Sequence, residues 1–169
     1  NLYYLTTQKS DQAPAAILQL SEILDYSLYT SKALFVPLEQ EWRQVENYIA
    51  LEMLHYEDRL DVEATLSGNA NQHQISPMIL ITLVENAFKH ISHDSNKANY
   101  VKVDMFLANN FFIFSVVNSK EQQPTTESHG RIGMINVKRR LELLYPGRHE
   151  LKIDNSENTF TVQLNLKLS

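Results

Sequence analysis

The pattern of apolar and polar positions is clearest over residues 79–91, which have the sequence ILITLVENAFKHI. The apolar residues recur at steps of three and four, and this spacing predicts an amphipathic helix with one buried face. The opposite face carries Glu85, Asn86, Lys89 and His90 within about one and a half turns. These four polar groups form either an ordinary solvated surface or a functional site. Features elsewhere in the chain are needed to distinguish the two.

Helical patterns also fill the first third of the chain. One helix is predicted over about 15–30, with Ser10 or Asp11 as N-cap and Pro14 in the first turn. A longer helix is predicted over about 38–58. We expect the first of these to form a hairpin with the residues before it, and to pair with a second copy because a two-helix core is small. The apolar stripes are Ile17, Leu20, Ile23, Leu24 and Leu28 in the first helix, and Leu38, Trp42, Val45, Ile49, Met53 and Tyr56 in the second.

Strands are predicted where apolar residues alternate with polar ones or form short continuous runs. The predicted strands span 60–66, 100–107, 111–117, 150–154 and 159–167, with a turn at Asn109-Asn110 and a helix over 134–145. Ser76 is a candidate N-cap for the central helix, with Pro77 at its first position. The order ααα–β–α–ββ–α–ββ predicts an α+β fold with a mixed, mostly antiparallel sheet and helices on one face.

Composition narrows the classes of function. The content is 43% hydrophobic and 21% charged, which is typical of a globular protein, and a formal net charge of −5 without a basic run does not suggest nucleic-acid binding. The absence of cysteine excludes disulfides, thiolate catalysis and cysteine-ligated zinc. No apolar run approaches the ~20 residues of a membrane span. Because the chain opens inside an apparent helix, we expect a piece of a longer protein whose missing part contains any membrane spans.

Two of the four glycines, Gly130 and Gly133, lie together where the polar stretch 118–129 meets a predicted helix. A stretch this long without periodicity indicates a mobile functional loop or disorder. A glycine-bearing loop that leads into a helix N-terminus suits phosphate, although this short motif is weak by itself and glycine can simply permit the turn.

The polar face of the central helix fits the same chemistry. Asn86 offers a neutral oxygen to Mg²⁺ when phosphates supply the charge, and Lys89 offers a point charge to a phosphate. Glu85 is a candidate to hold a proton or a water molecule. For His90, a packed or surface position is favoured over catalysis.

Three motifs in this order resemble a known family. LVENAFKH (83–90) resembles the N box of the GHKL ATPases, and of histidine kinases in particular. GRIGMINVKRRLELLYPGRH (130–149) resembles the G2 box and following helix of the LytS-type sensor histidine kinases, and VPLEQEWRQVENYIALEMLHYEDRL (36–60) resembles their linker helix. Together the motifs span residues 36–149, most of the chain, which is identified on them as a member of this group.

The resemblance implies a Bergerat-type two-layer α/β sandwich over 59–169 that binds ATP. It also implies a linker helix over 36–58 and the remnant of a dimerisation and phosphotransfer hairpin over 1–35. Asn86 then matches the Mg²⁺-binding asparagine, Lys89 the phosphate-contacting lysine, and 118–129 the ATP lid. Glu85 and Lys89 are the candidate catalytic residues. The implied ATP-binding positions are Asn86, Lys89, His90, Asn118, Gly130, Ile132, Gly133 and Met134.

The chain departs from the family pattern in two ways. The adenine-contacting aspartate, usually in an Asp-x-Gly element, is replaced by Asn118, whose amide oxygen can still accept a hydrogen bond but has no charge. None of the six histidines lies in the His-Phe-Leu-Phe-Asn-like stretch that bears the phospho-acceptor, so we expect that stretch upstream of Asn1.

The function implied is the catalytic part of a two-component sensor histidine kinase, which transfers the ATP γ-phosphoryl to the upstream histidine and then to a response regulator. We expect a homodimer formed through the hairpin, a cytoplasmic location in a membrane-anchored bacterial sensor, and no autophosphorylation by this chain alone. One alternative is a pseudokinase that serves dimerisation and signalling with weak or no ATP binding. Another is a GHKL ATPase or anti-sigma serine kinase, against which the hairpin and linker helix argue.

Overall fold

The computed structural model of the chain describes residues 6–7, 10–30, 32–56, 59–91, 99–120 and 129–168. The helices are α1 (Ala13–Thr30), α2 (Leu38–Tyr56), α3 (Ile79–Lys89) and α4 (His129–Leu144). The strands are β1 (Val36–Pro37), β2 (Leu60–Ser67), β3 (Gln74–Ile75), β4 (Asn99–Ala108), β5 (Phe111–Ser119), β6 (His149–Asn155) and β7 (Thr159–Lys167). A short 3-10 helix, Ala70–Gln72, precedes β3.

Five strands form one mixed sheet in the order β2-β4-β5-β7-β6. Strands β2 and β4 are parallel because α3 lies between them in the chain as a crossover, and the other pairs are antiparallel. The predicted hairpin between β4 and β5 is confirmed, with Asn109 at a φ of 53° in its turn. Strands β1 and β3 form a separate antiparallel pair that the sequence pattern does not predict, because each has only two residues.

The core lies between one face of this sheet and helices α2, α3 and α4. Alternate residues of β4 and β5 are buried, and the apolar face of α3 is buried as predicted, as is most of the stripe of α2. Burial of each large apolar side chain contributes roughly 1.5–3 kcal/mol to folding. The predicted α+β fold with a mixed, mostly antiparallel sheet is therefore confirmed.

The apolar stripe predicted for α1 is not its buried face. Ile17, Leu24 and Leu28 are 47%, 52% and 71% exposed, whereas Tyr26 and the small residues Ala13, Ala16 and Thr30 are buried. Small side chains let α1 lie close to α2, and the larger apolar residues are left on the outside.

The predicted start of α3 is wrong. Ser76 is not its N-cap: the helix begins at Ile79, and Met78 stands at the cap with a φ of 65° and no capping side chain of its own. The Ser76 N–H donates instead to the Tyr145 hydroxyl at 2.8 Å. The helix does without a local cap because the carboxylate of Glu41 on α2 accepts the N–H groups of its first turn.

The predicted start of α4 is also wrong. The helix begins at His129 rather than Met134, so Gly130 and Gly133 lie inside its first turns and not in a loop before it. At Gly133 the reason is packing, since a Cβ there would lie 3.0 Å from Thr82 Cγ2 on α3. Close contact between the two helices outweighs the low helix propensity of glycine.

Candidate functional site

The exposed face of α3 carries a paired acid and base. Lys89 Nζ lies 2.5 Å from Glu85 Oε1, one turn away on the helix, and the two side chains are 47% and 43% exposed. An exposed pair of this kind contributes at most about 1 kcal/mol to stability. Lys89 can therefore leave Glu85 for a phosphate at little cost, and Asn86, next to Glu85 in the helix, is half-buried.

The last turn of α3 lies next to the ends of two strands. The ring of His90, which ends the helix, lies 5.9 Å from the ring of Phe160 on β7. Phe160 is in turn the register partner of Asn118 on β5. The structure thus brings the polar face of α3 and the predicted adenine position to the same end of the sheet.

Asn118 has an unsatisfied hydrogen-bond acceptor. Its side chain is fully buried and its Nδ2 donates to the Ser119 carbonyl at 2.9 Å. Among the described residues its Oδ1 has no hydrogen-bond partner. A buried acceptor left unpaired costs roughly 1–3 kcal/mol, so this oxygen is a candidate to accept a proton donor from a ligand.

The first turns of α4 supply the other predicted positions. Gly133 lies against Thr82 of α3, and Met134 packs against the core. Ile132 is different: it is 63% exposed. The surroundings of Gly130 and most of the predicted lid, residues 121–128, lie outside the described residues.

Helix α2 also reaches the site. The ring of Tyr48 packs edge-on against Phe88 of α3, with centroids 5.7 Å apart. Burial raises the pKa of Tyr48, and the negative charges of Glu52 and Glu85 raise it further, so the phenol stays protonated. Sequence reasoning missed Tyr48 and the role of Phe160. Tyr48 lies three residues after the stripe position Val45, and Phe160 is an apolar residue of the alternating strand 159–167, so both positions indicate packing rather than a site.

No group of three or more His, Cys, Asp or Glu side chains in the described part of the chain is arranged to hold a metal ion. Asn86 thus remains a candidate metal ligand by its chemistry, an amide oxygen, alone. In the same described ranges, no helix has both the length and the apolar character needed to cross a membrane.

Sequence comparisons show similarity between this chain and sensor kinases. A family model described as histidine kinase matches residues 1–60. The chain is 25% identical to the sensor protein LytS of Staphylococcus epidermidis over 165 residues, and 28% identical to LytS of Streptococcus mutans over 167 residues. Each match covers 90% of this chain but only 28% of the relative. The sensor protein kinase HptS of Staphylococcus aureus is 34% identical over 89 residues, which is 53% of this chain and 17% of HptS.

Solved structures share the fold. The histidine kinase domain of a blue-light activated histidine kinase from Erythrobacter litoralis superposes with a TM-score of 0.59 at 13% identity, covering 97% of this chain and 83% of that one. The catalytic domain of the histidine kinase ThkA gives 0.54 at 17% identity, covering 79% and 94%. The chain is therefore similar, over most of its length, to sensor proteins of the LytS type, and it shares the fold of histidine kinase catalytic domains.

Proposed function

We propose that the chain is the ATP-binding catalytic part of a two-component sensor histidine kinase. In this proposal the γ-phosphoryl of ATP passes to a histidine that lies upstream of Asn1. The observation that carries the proposal is the buried Oδ1 of Asn118, which has no partner among the described residues and lies at the same end of the sheet as the α3 face that bears Asn86 and Lys89.

The adenine base fits the apolar end of this site. Asn118 Oδ1 accepts a hydrogen bond from the exocyclic amino group, because its own amide nitrogen is already engaged with the Ser119 carbonyl. The half-buried ring of Phe160, next to Asn118 in the sheet, offers an apolar surface to the purine. His90, in contact with that ring, helps to shape the pocket.

The phosphates fit the polar end. Lys89 exchanges its contact with Glu85 for a phosphate oxygen, and Asn86 holds Mg²⁺ together with the phosphates. When bound, Mg²⁺ neutralises part of the phosphate charge. Glu85, once released by Lys89, is free to orient the attacking group. The N-terminal end of α4, with Gly130, Gly133 and Met134, closes the site, and its helix dipole favours an anion.

The wider assignments follow from the same proposal. Residues 59–169 form the catalytic domain, 36–58 the linker helix, and 1–35 the remnant of a hairpin. We propose that the exposed apolar residues of α1 pair with a second copy, since Ile17, Leu24 and Leu28 form a helix face that the described part of the chain leaves exposed. The partner that takes the phosphoryl group is a response regulator, and the chain is the cytoplasmic part of a membrane-anchored bacterial sensor.

A pseudokinase is the second candidate, and one observation favours it. The position expected to hold a carboxylate for adenine holds the neutral amide of Asn118. A neutral acceptor forms a hydrogen bond about half as strong as a charged one. In that case the chain would serve as a dimerisation and signalling module with weak or no ATP binding.

Transfer of labelled phosphate distinguishes the two candidates. The full-length protein, incubated with γ-labelled ATP and Mg²⁺, is expected to gain a label that is stable to base and labile to acid, as phosphohistidine is. This chain alone is expected to gain none. A full-length protein that binds ATP but gains no label would support the pseudokinase, and a label on a histidine of this chain would contradict the proposal.

A further inference from the structure

A buried carboxylate from α2 closes the start of the helix that bears Asn86. Glu41 has no exposed surface. Its Oε1 accepts the N–H of Met78 at 2.6 Å, and its Oε2 accepts the N–H of Leu80 at 3.0 Å. The first-turn N–H groups of a helix have no acceptor within the helix, so Glu41 satisfies them from another element.

The same carboxylate binds α1. The buried Tyr26 hydroxyl donates to Glu41 Oε1, which therefore accepts hydrogen bonds from two elements at once. Burial raises the pKa of Tyr26, so its hydroxyl stays protonated as a donor. A carboxylate can accept about four hydrogen bonds, and a glutamine at this position would have one acceptor oxygen and an NH₂ group that only donates.

Helix α4 holds the other side of this segment. Arg140 Nη1 donates to the Pro77 carbonyl, and the Tyr145 hydroxyl accepts the Ser76 N–H at 2.8 Å. Between these contacts Met78 has a φ of 65°, which L side chains rarely adopt and which persists only where the surroundings hold it. Residues 76–80, here called the joint, thus connect α3 to its neighbours: α1 and α2 hold them on one side and α4 holds them on the other.

We propose that Glu41 is a positioning residue for the nucleotide site, and that it couples the position of α1, through Tyr26, to the position of α3. Asn86 lies six residues beyond Leu80, about 9 Å along a rigid helix, so a shift at the joint reaches it directly. The inference rests on the proposed function, because that function assigns the nucleotide to α3.

The test compares two tyrosines of α1. Tyr26→Phe removes only the hydroxyl that binds Glu41, and Tyr29→Phe makes the same change at a side chain that is 83% exposed. Hydrogen exchange at the Leu80 amide reports the cap itself. We expect Tyr26→Phe to speed this exchange by about fivefold or more, since a buried carboxylate loses one donor, and we expect Tyr29→Phe to leave it unchanged.

Nucleotide binding provides a readout that a merely structural role would not move. We expect Tyr26→Phe to weaken binding of a non-hydrolysable ATP analogue with Mg²⁺ by roughly 3–10-fold, which is within the usual range of coupling between sites. By reciprocity, the analogue should slow amide exchange at Tyr26–Thr30 in the unmodified chain and not in Tyr26→Phe. Glu41→Gln is expected to speed exchange at Leu80 and to weaken analogue binding more than Tyr26→Phe does.

The outcomes separate the two proposals. If Tyr26→Phe speeds exchange but leaves analogue affinity equal to that of Tyr29→Phe, Glu41 is only structural and the inference is overturned. If the unmodified chain binds no analogue, the proposed function fails. The coupling between α1 and α3 is then tested by comparing the rates of amide exchange at Leu80 and Asn86 in the two variants. In that case, equal exchange rates in Tyr26→Phe and Tyr29→Phe would overturn the proposed coupling.

Discussion

Replacement of Asn118 should lower the affinity for ATP while it leaves stability nearly unchanged or slightly higher. The Oδ1 atom, which has no partner in the described part of the chain, costs the free chain roughly 1–3 kcal/mol. The bond from Nδ2 to the Ser119 carbonyl contributes about 1 kcal/mol in the other direction. Asn118→Leu keeps the branched skeleton of asparagine, with methyl groups in place of Oδ1 and Nδ2. It removes both terms, and its larger methyl groups offset part of the gain through tighter packing. We therefore expect the melting temperature to stay within about 2 °C of the original value or to rise, since 1 kcal/mol corresponds to roughly 2–4 °C at this size.

The affinity for ATP should fall. Loss of one neutral hydrogen bond to the amino group of adenine costs about 1–1.4 kcal/mol, or roughly a five- to tenfold weaker binding. Inosine triphosphate carries a carbonyl oxygen where ATP carries that amino group, so its oxygen would face Asn118 Oδ1 as acceptor against acceptor. We expect the unmodified chain to bind it roughly 10–100-fold more weakly than ATP, which corresponds to about 1.4–2.8 kcal/mol.

Titration calorimetry with both nucleotides and Mg²⁺ measures the four affinities. In Asn118→Leu the preference for ATP over inosine triphosphate should fall to less than about threefold, because neither base then meets a polar partner. Asn165→Leu is the matched control. It makes the same change in the same sheet, at a half-buried asparagine whose Nδ2 donates to Glu150 instead. This control should keep both the affinity for ATP and the preference for ATP over inosine triphosphate.

Two results would refute the reasoning. The first is a chain that binds both nucleotides equally, since the amino group would then have no specific acceptor. The second is an Asn118→Leu variant that still prefers ATP by about tenfold or more, because the acceptor would then have to be another group.

Three further changes test the packing and charge of the site. Gly133→Ala should destabilise the chain by about 1 kcal/mol because its Cβ would lie 3.0 Å from Thr82 Cγ2, and Thr82→Ser in the same chain should restore it, as measured by urea unfolding. Lys89→Met should weaken ATP binding by roughly tenfold and leave adenosine binding unchanged. The control Lys102→Met, which breaks the exposed pair with Glu63, should change the binding of neither ligand. An equal loss of ATP affinity in the two variants would contradict a phosphate role for Lys89. Gly68→Ala should cost about 3 kcal/mol or more, because a Cβ would lie 2.2 Å from a backbone carbonyl oxygen of β4; a loss under about 1 kcal/mol in thermal unfolding would contradict that geometry.

Elements with a regular local pattern were predictable from the sequence. Helix α3 and the five strands of the main sheet lie where the periodicity places them, because each buries one face against the same core. The mixed, mostly antiparallel sheet followed from the order of the elements and from the short turns between them.

Features that depend on partners distant in the chain were not predictable. By sequence, Glu41 is an acidic residue in the first turn of α2, where negative charge is favoured, yet its carboxylate caps α3 from 37 and 39 residues away. Local capping rules therefore favoured Ser76, whose N–H is used elsewhere. The prediction of the buried face of α1 failed for a related reason, since periodicity identifies an apolar face but not what covers it.

The candidate site was predictable in part. The polar face of α3 stood out because Asn86 and Lys89 interrupt an apolar helix, and the family resemblance added Asn118. The pattern could not show that Asn118 Oδ1 is buried without a partner among the described residues, or that Phe160 lies beside it. Ile132, expected at the nucleotide, is mostly exposed, since it lies on the outer side of α4.

Titration of the chain with a non-hydrolysable ATP analogue and Mg²⁺ tests the central claim most directly. We predict binding at one site per chain, with a dissociation constant between about 1 µM and 1 mM, and with chemical-shift changes at Asn86, Asn118 and Gly133. The absence of both heat and shift changes at about 1 mM analogue would contradict an ATP site between α3, β5 and α4 and would favour the pseudokinase.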